Sequence, residues 1–223
     1  GLLKQLEAEP RLAAFNLAGG TALALYLGHR VSVDLDLFTP ESFDVGELEA
    51  FLSQRYGFQT AFRRPDTLKG MIDGVKIDCI AHKYAYLRQP YVESGIRLYS
   101  IEDIVAMKLS AIADDGSRLK DFVDIACLST RIPFYEMLKC YERKFPQANV
   151  IRPFKALTYF DDIDFGEDIV MLNFEYDWKQ IARRLKEMTV RQEHIFSQWP
   201  LKEQKLPAAE DKDITSMKRG RKR

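Results

Sequence analysis

Between residues 16 and 38 the chain reads NLAGGTALALYLGHRVSVDLDLF, and few folds can absorb that string. A small apolar run, Phe15-Asn16-Leu17-Ala18, ends in a turn, Gly19-Gly20-Thr21. Ala22 to Leu27 is apolar and reads as the first turns of a helix. Ser32 to Phe38 then alternates polar and apolar residues with a period of two, the pattern of a strand with two distinct faces. The alternation predicts that Asp34 and Asp36 project from one face, roughly 7 Å apart along the strand. Like charges so placed repel, and a divalent cation is the usual group that offsets the repulsion. A helix that begins behind two glycines offers backbone N–H groups and a positive dipole end with no side chains in the way, which suits phosphate. Thr21 either adds a hydroxyl to that cradle or caps the helix. A phosphate cradle and metal-binding carboxylates in one short unit point to chemistry on a metal-bound nucleoside triphosphate.

The chain around this unit mixes helices and strands. Leu2 to Ala14 carries a short helix and then a helical turn begun by Pro10. Thr39 reads as the N-cap, and Pro40 as the first residue, of a helix that runs to Tyr56. Phe43, Leu48, Phe51 and Leu52 form its apolar face and Gly57 ends it. Phe58 to Arg63, Leu68 to Ile72 and Val75 to Ile80 read as strands, and Asp73-Gly74 between the last two is a hairpin signal. The expected sheet has at least four strands of mixed direction. Asp78 places one acid in an apolar strand where Lys76, Ile77 and Cys79 give it no local pairing. It reads either as a strand-edge aspartate bonded to neighbouring backbone or as a third carboxylate beside Asp34 and Asp36. Three carboxylates suffice for two magnesium ions about 3.5–4 Å apart, and the first two alone for one.

Tyr84 to Ser94 reads as a loop in which Lys83 and Arg88 interleave with Tyr84, Tyr86 and Tyr91. That is an amphipathic surface, or a place where an RNA end stacks and is neutralised. Ser100 caps a helix from Ile101 to Ala113 with Glu102 and Asp103 in its first turn. On it, Lys108 has Ile104, Val105, Ala111 and Ile112 as helical neighbours. A lysine on an apolar stripe either snorkels to the rim or points into a cleft at an anion such as a triphosphate. Gly116-Ser117 starts another helix, Arg118 to Ala126. There Lys120 offers Asp124 an i,i+4 ion pair, which leaves Asp121 unexplained, and Arg118 is either solvated or a phosphate contact. Further helices are expected from Pro133 to Phe145, Ala148 to Tyr159 and Tyr176 to Phe196, the last with Trp178, Ile181 and Leu185 inward. Asp161 to Asp168 is a solvated loop whose ligand order does not fit calcium. From Pro200 the periodicity ends, and the final KRGRKR reads as a disordered basic tail. The expected division is a core over 1–115, a helical region over 116–199 and a tail over 200–223.

Lys plus Arg is 33 and Asp plus Glu is 33 in 223 residues, so net charge gives no pull toward nucleic acid or membrane. Cys79, Cys127 and Cys140 are too far apart for a metal pattern and odd in number, so they read as reduced core thiols. No stretch reads as a signal peptide or a membrane span, and a cytoplasmic location is expected.

Gly19-Gly20, a helix and Asp34-Leu35-Asp36-Leu37 together resemble the signature of polymerase-beta-like nucleotidyltransferases. The fuller string, from Gly19 through His29-Arg30 and Ser32 to Phe38, resembles more narrowly the AbiEii/AbiGii nucleotidyltransferase toxin family. The resemblance covers about the first 130 residues. It implies an α/β (α+β) fold in which a small mixed β-sheet core carries a helical C-terminal half. It also implies transfer of a nucleoside monophosphate from an NTP to an acceptor hydroxyl with Mg2+ or Mn2+. Asp34, Asp36 and Asp78 would bind metal, and Gly19, Gly20 and Thr21 would cradle phosphates. Arg30, Ser32, Lys108 and Asp124 would serve the nucleotide, and a metal-set carboxylate or Asp121 would act as general base. The family has a lysine in the helix of Lys108 and a basic-Asp-x-x-Asp string, matched here by Lys120-Asp121-Phe122-Val123-Asp124. Family members are toxins opposed by an antitoxin protein, which implies an RNA acceptor such as a tRNA end and a cognate antitoxin partner. The neutral charge keeps open a same-fold transferase acting on a protein or a small molecule such as an aminoglycoside. A non-catalytic nucleotide-binding or interaction module is the other rival, and it has no need of two repelling carboxylates.

Overall fold

The computed structural model of the chain describes residues 1–203; the basic run at 218–223 lies outside the described residues. The first half contains α1 (Leu2–Glu7), β1 (Asn16–Leu17), α2 (Gly19–Leu27), β2 (Leu35–Thr39), α3 (Val45–Tyr56), β3 (Gln59–Arg64), β4 (Thr67–Ile72), β5 (Val75–Ala81), β6 (Tyr91–Glu93) and β7 (Ile96–Leu98). Its strands form one mixed sheet in the order β3-β4-β5-β2-β1-β7-β6. Helices α4 (Ile101–Asp114), α5 (Leu119–Leu128), α6 (Phe134–Lys144), α7 (Ile151–Ala156) and α8 (Trp178–Val190) follow, with a ribbon of β8 (Phe174–Glu175) and β9 (Lys202–Glu203). The expected α/β architecture is therefore the one observed.

Local chemistry accounts for most of these elements. Asp73 and Gly74 both sit at positive φ, 48° and 78°, the backbone that a two-residue turn needs between right-twisted strands, so β4 and β5 pair as a hairpin. Ser100 accepts a hydrogen bond from the Asp103 N–H and starts α4. β2 pairs in parallel with β5, and that register sets Asp36 directly beside Asp78.

Several expectations need correction. The strand expected from Ser32 begins only at Leu35, because ladder pairing with β5 starts at Leu35↔Ile77, while Val31 is drawn to the Val170 carbonyl instead. Asp34 is thus an exposed residue just ahead of the strand. Thr39 is not a helix cap: it is the last residue of β2, paired with Ala81, and Asp44 caps α3 by accepting from the Glu47 N–H. Tyr91–Glu93, expected as loop, turns back at Ser94-Gly95 to pair with β7. The helix expected over Ala148 to Tyr159 is the short α7, and the last helix stops at Val190. Lys202–Glu203 pair with β8 as β9, so the expected tail over 200–223 contains a short paired strand near its start.

The buried apolar side chains make one continuous cluster from Leu6 to Leu201. α4 runs through its centre and packs against α2, α5, α6 and α7. Ile104, Val105, Leu109 and Ile112 are its buried stripe. Arg97 on β7 fastens the N-terminal segment by donating to the Glu7, Leu12 and Phe15 carbonyls. All three cysteines are free and buried, and burial pushes the Cys79 thiol up to about 12.

Candidate active site

A cleft of about 640 Å³ opens between the N-terminus of α2, the middle of β2, and helices α4 to α6. That is ample for a nucleotide-sized ligand. Gly19, Gly20, Asp36, Lys108, Arg118 and Asp121 line its polar part.

The two glycines are required by contacts as well as by backbone. Gly19 has φ +63°, and a Cβ there would lie 2.0 Å from Asp36 Oδ2. A Cβ on Gly20 would lie 2.5 Å from Arg30 Nη2 and 3.3 Å from Ser32 Oγ. The first turn of α2 therefore sits directly on the Asp36 carboxylate and the Arg30 guanidinium. No side chain caps that turn, so its N–H groups face the cleft region without a protein-side acceptor from the N-cap. Thr21 is mostly buried, and its hydroxyl lies 2.9 Å from Ser32 Oγ and donates to the Asp34 carbonyl. Thr21 thus fastens the Ser32–Asp34 segment to α2. Ser32 is half-buried beside it.

The carboxylates fall into two groups. Asp36 and Asp78 are neighbours across the β2–β5 register. Burial, followed by the Asp78 charge, pushes Asp36 up from the ordinary aspartate value, against the opposing pull of Lys108, Lys76 and Arg118. Asp78 is buried and, contrary to expectation, is paired locally: Lys69 Nζ on β4 is 2.8 Å away and Lys76 Nζ 3.6 Å. Its Oδ1 is buried with no hydrogen-bond partner. Two adjacent carboxylates, one destabilised by its neighbour and one with an orphaned oxygen, suit a hard divalent cation with oxygen ligands. Among the described residues no three His, Cys, Asp or Glu side chains form a ready-made metal cage.

Asp121 and Asp124 form the second group, a buried ion network under the cleft. Asp124 is fully buried. Arg30 grips it with a fork, Nε to Oδ1 at 2.7 Å and Nη2 to Oδ2 at 2.8 Å, and His29 Nε2 is 2.7 Å from Oδ1. Lys108 Nζ bridges Asp124 Oδ2 at 2.7 Å and Asp121 Oδ1 at 2.6 Å. Burial opposes ionisation of Asp124, yet Lys108 and Arg30 outweigh it and hold the carboxyl well below its usual range. Burial likewise opposes the Lys108 charge, and Asp121 and Asp124 outweigh it, so the ammonium is held above the ordinary lysine value. The i,i+4 pair of Lys120 with Asp124 is absent: Lys120 reaches Glu167 at 2.9 Å, because Asp124 faces inward. Arg30 and Asp124 are buried, and Asp124 joins the Arg30 guanidinium to the Lys108 ammonium. Arg118 is exposed at the cleft and lies 3.4 Å from Asp121.

Two sets of functional candidates escaped the sequence reading. His82 and Phe145 line the cleft with Tyr84 and Phe38, and Arg152 stands at its rim beside Asp114, 2.8 Å away. His29 is the other, buried against Asp124 behind a helix end. The GHR string contains His29, but only the chain's return through Met171 explains it: Leu172 N–H donates to the His29 carbonyl and Met171 bridges to Arg30.

The family profile described as nucleotidyl transferase AbiEii toxin, type IV TA system, matches residues 1–88 and 75–204 of the chain. An uncharacterised protein of Aquifex aeolicus, aq_aa25, is 32% identical over 178 residues, covering 77% of this chain and 84% of that protein. The fold is similar to a crystal structure of a candidate nucleotidyltransferase from H. pylori, with TM-score 0.54 and 20% identity over 85% of this chain and 88% of that one. It is also similar to JHP933 from Helicobacter pylori, with TM-score 0.50 and 20% identity over 85% and 86% of the two chains.

Proposed function

We propose, for a chain that belongs to the AbiEii nucleotidyltransferase toxin family, that this cleft transfers a nucleoside monophosphate from an NTP to an acceptor hydroxyl. The acceptor oxygen bonds to the α-phosphorus, the bond from that phosphorus to the β-bridging oxygen breaks, and pyrophosphate leaves. The observation that carries the reading is the direct packing of Gly19 on the Asp36 carboxylate, which joins the phosphate cradle and the acidic site in one contact.

On this reading each residue takes a role that its position supports. The uncapped first turn of α2, with Gly19 and Gly20, receives the β,γ-phosphates. Lys108 and Arg118 supply positive charge beside it. Asp121 and Asp124 keep Lys108 protonated and aimed, and Arg30 holds Asp124 in place, which are positioning roles. Asp36 and Asp78, with the exposed Asp34 just ahead of β2, would hold magnesium or manganese. When bound, the ion supplies neutralising charge for the phosphates and the developing alkoxide. The acceptor hydroxyl's proton goes to Asp36, because Asp121 is already committed to Lys108 and Arg118.

The acceptor is an RNA end, a tRNA among them, and the protein is the toxin of a pair held in check by an antitoxin. The toxin role rests on the family description, and the RNA acceptor on the family resemblance of the Gly19 to Phe38 string. The balanced charge, 33 basic and 33 acidic residues, favours a second acceptor class, a protein or small molecule. Incubation with labelled NTPs, magnesium and either total RNA or protein extract decides among them. Label in RNA is the expected result. Label in protein moves the acceptor to the second class, and no label from any NTP refutes transfer.

A further inference from the structure

This inference rests on the nucleotidyl-transfer reading and extends it to the nucleobase. The cleft has two chemically different ends. Opposite the polar floor stands a wall of rings: His82 lies 4.8 Å from Tyr84, and Tyr84 4.8 Å from Phe145, centroid to centroid. The wall joins segments far apart in the chain, and a buried ion pair fixes it. Lys144, next to Phe145, is fully buried against Asp103, 2.6 Å away, and donates to the Ala85 carbonyl at 3.3 Å. Asp103 also accepts from the Leu87 N–H at 3.1 Å and the Arg88 N–H at 3.3 Å. Helices α4 and α6 thus staple the segment just behind Tyr84, while Tyr84 itself stays 44% exposed.

This end has little charge to offer a phosphate. Lys144 is spent on Asp103, and Arg152 is paired with Asp114 at 2.8 Å. Burial, then Lys144, pushes His82 down to about 4, so its ring is neutral at pH 7. An exposed tyrosine on a rigid, uncharged aromatic wall matches the flat face of a base.

We propose that the base of the donor nucleotide stacks on Tyr84, backed by His82 and Phe145, while its triphosphate occupies the polar floor. Stacking uses the π-face that every base has, so the subsite accepts all four NTPs. Calorimetry in calcium, with the four NTPs and with inorganic tripolyphosphate, tests this on the wild-type protein, Tyr84→Leu and Tyr84→Phe. Tyr84→Leu should weaken NTP binding roughly tenfold and leave tripolyphosphate unchanged, and Tyr84→Phe should match wild type. Equal losses for NTP and tripolyphosphate, or no loss for either, would overturn the stacking site. Wild-type protein that binds neither ligand would overturn the phosphate floor itself, a separate failure.

Discussion

Lys108→Met separates what the buried network does for the fold from what it does for phosphate. The Lys108 side chain is 6% exposed and bridges Asp121 at 2.6 Å and Asp124 at 2.7 Å. Methionine keeps the length of the stem and is a good helix former, so packing in α4 changes little. The loss is the cation shared by both carboxylates. Asp124 retains the Arg30 fork and His29. Asp121 retains only Arg118 in this network, at 3.4 Å on a side chain 61% exposed, and its Oδ2 has no hydrogen-bond partner. Removing one partner of a buried pair costs about 3–5 kcal/mol, mostly the penalty of the charge left behind. The expected loss is about 3 kcal/mol, at the low end because two arginines remain. Asp121→Asn in the same chain removes the stranded charge and should restore most of it. Urea denaturation at pH 7 of the wild type, both single variants and the double variant gives the coupling, expected at about 2 kcal/mol. Nucleotide affinity should fall by about one to two decades in Lys108→Met, and Asp121→Asn should not rescue it, because the missing contact is to phosphate. Additive stabilities would refute the buried ion pair. Affinity intact in an unstable Lys108→Met would remove the lysine from the phosphate site.

Two further outcomes are expected. Asp36 has its pKa raised above the ordinary 3.8 by burial and then by Asp78, so the folded state holds this proton more tightly than the unfolded one. Its ionisation therefore costs stability, a cost absent below 3.8 that grows as the pH rises through the raised value. In chelator, Asp36→Asn should melt higher than wild type at pH 7, by a margin that narrows on acidification, and should show no transfer; a lower melting point at pH 7 would refute the like-charge reading. Gly19→Ala drives a methyl onto Asp36 and should lower turnover by decades, whereas Gly28→Ala, also at positive φ but facing open space, should cost about 1 kcal/mol of stability and leave turnover intact. Equal turnover in the two alanine variants would sink the argument from close packing.

Much of the fold could be read from the sequence, because its signals are local. Two glycines before an apolar helix, an Asp-Gly turn, a serine ahead of Glu102-Asp103 and a period-two alternation each act through backbone preferences within a few residues. Lys108 was visible for the same reason, as a charge out of place on an apolar helical stripe. Tertiary structure alone decided which charges meet. Lys120 is four residues from Asp124 yet pairs with Glu167, while Arg30, 94 positions away in the chain, takes Asp124. Burial makes that choice: an inward carboxylate needs a desolvated partner, and an exposed i,i+4 pair is worth only a few tenths of a kcal/mol. The register of β2 on β5 likewise set Asp36 beside Asp78, and the hairpin to β4 brought Lys69 onto Asp78. Asp34 lost its place on the strand to a ladder that begins one residue later. The aromatic wall of His82, Tyr84 and Phe145 has no periodicity to betray it, since its members are single residues from the segment after β5 and the end of α6, brought together only by packing.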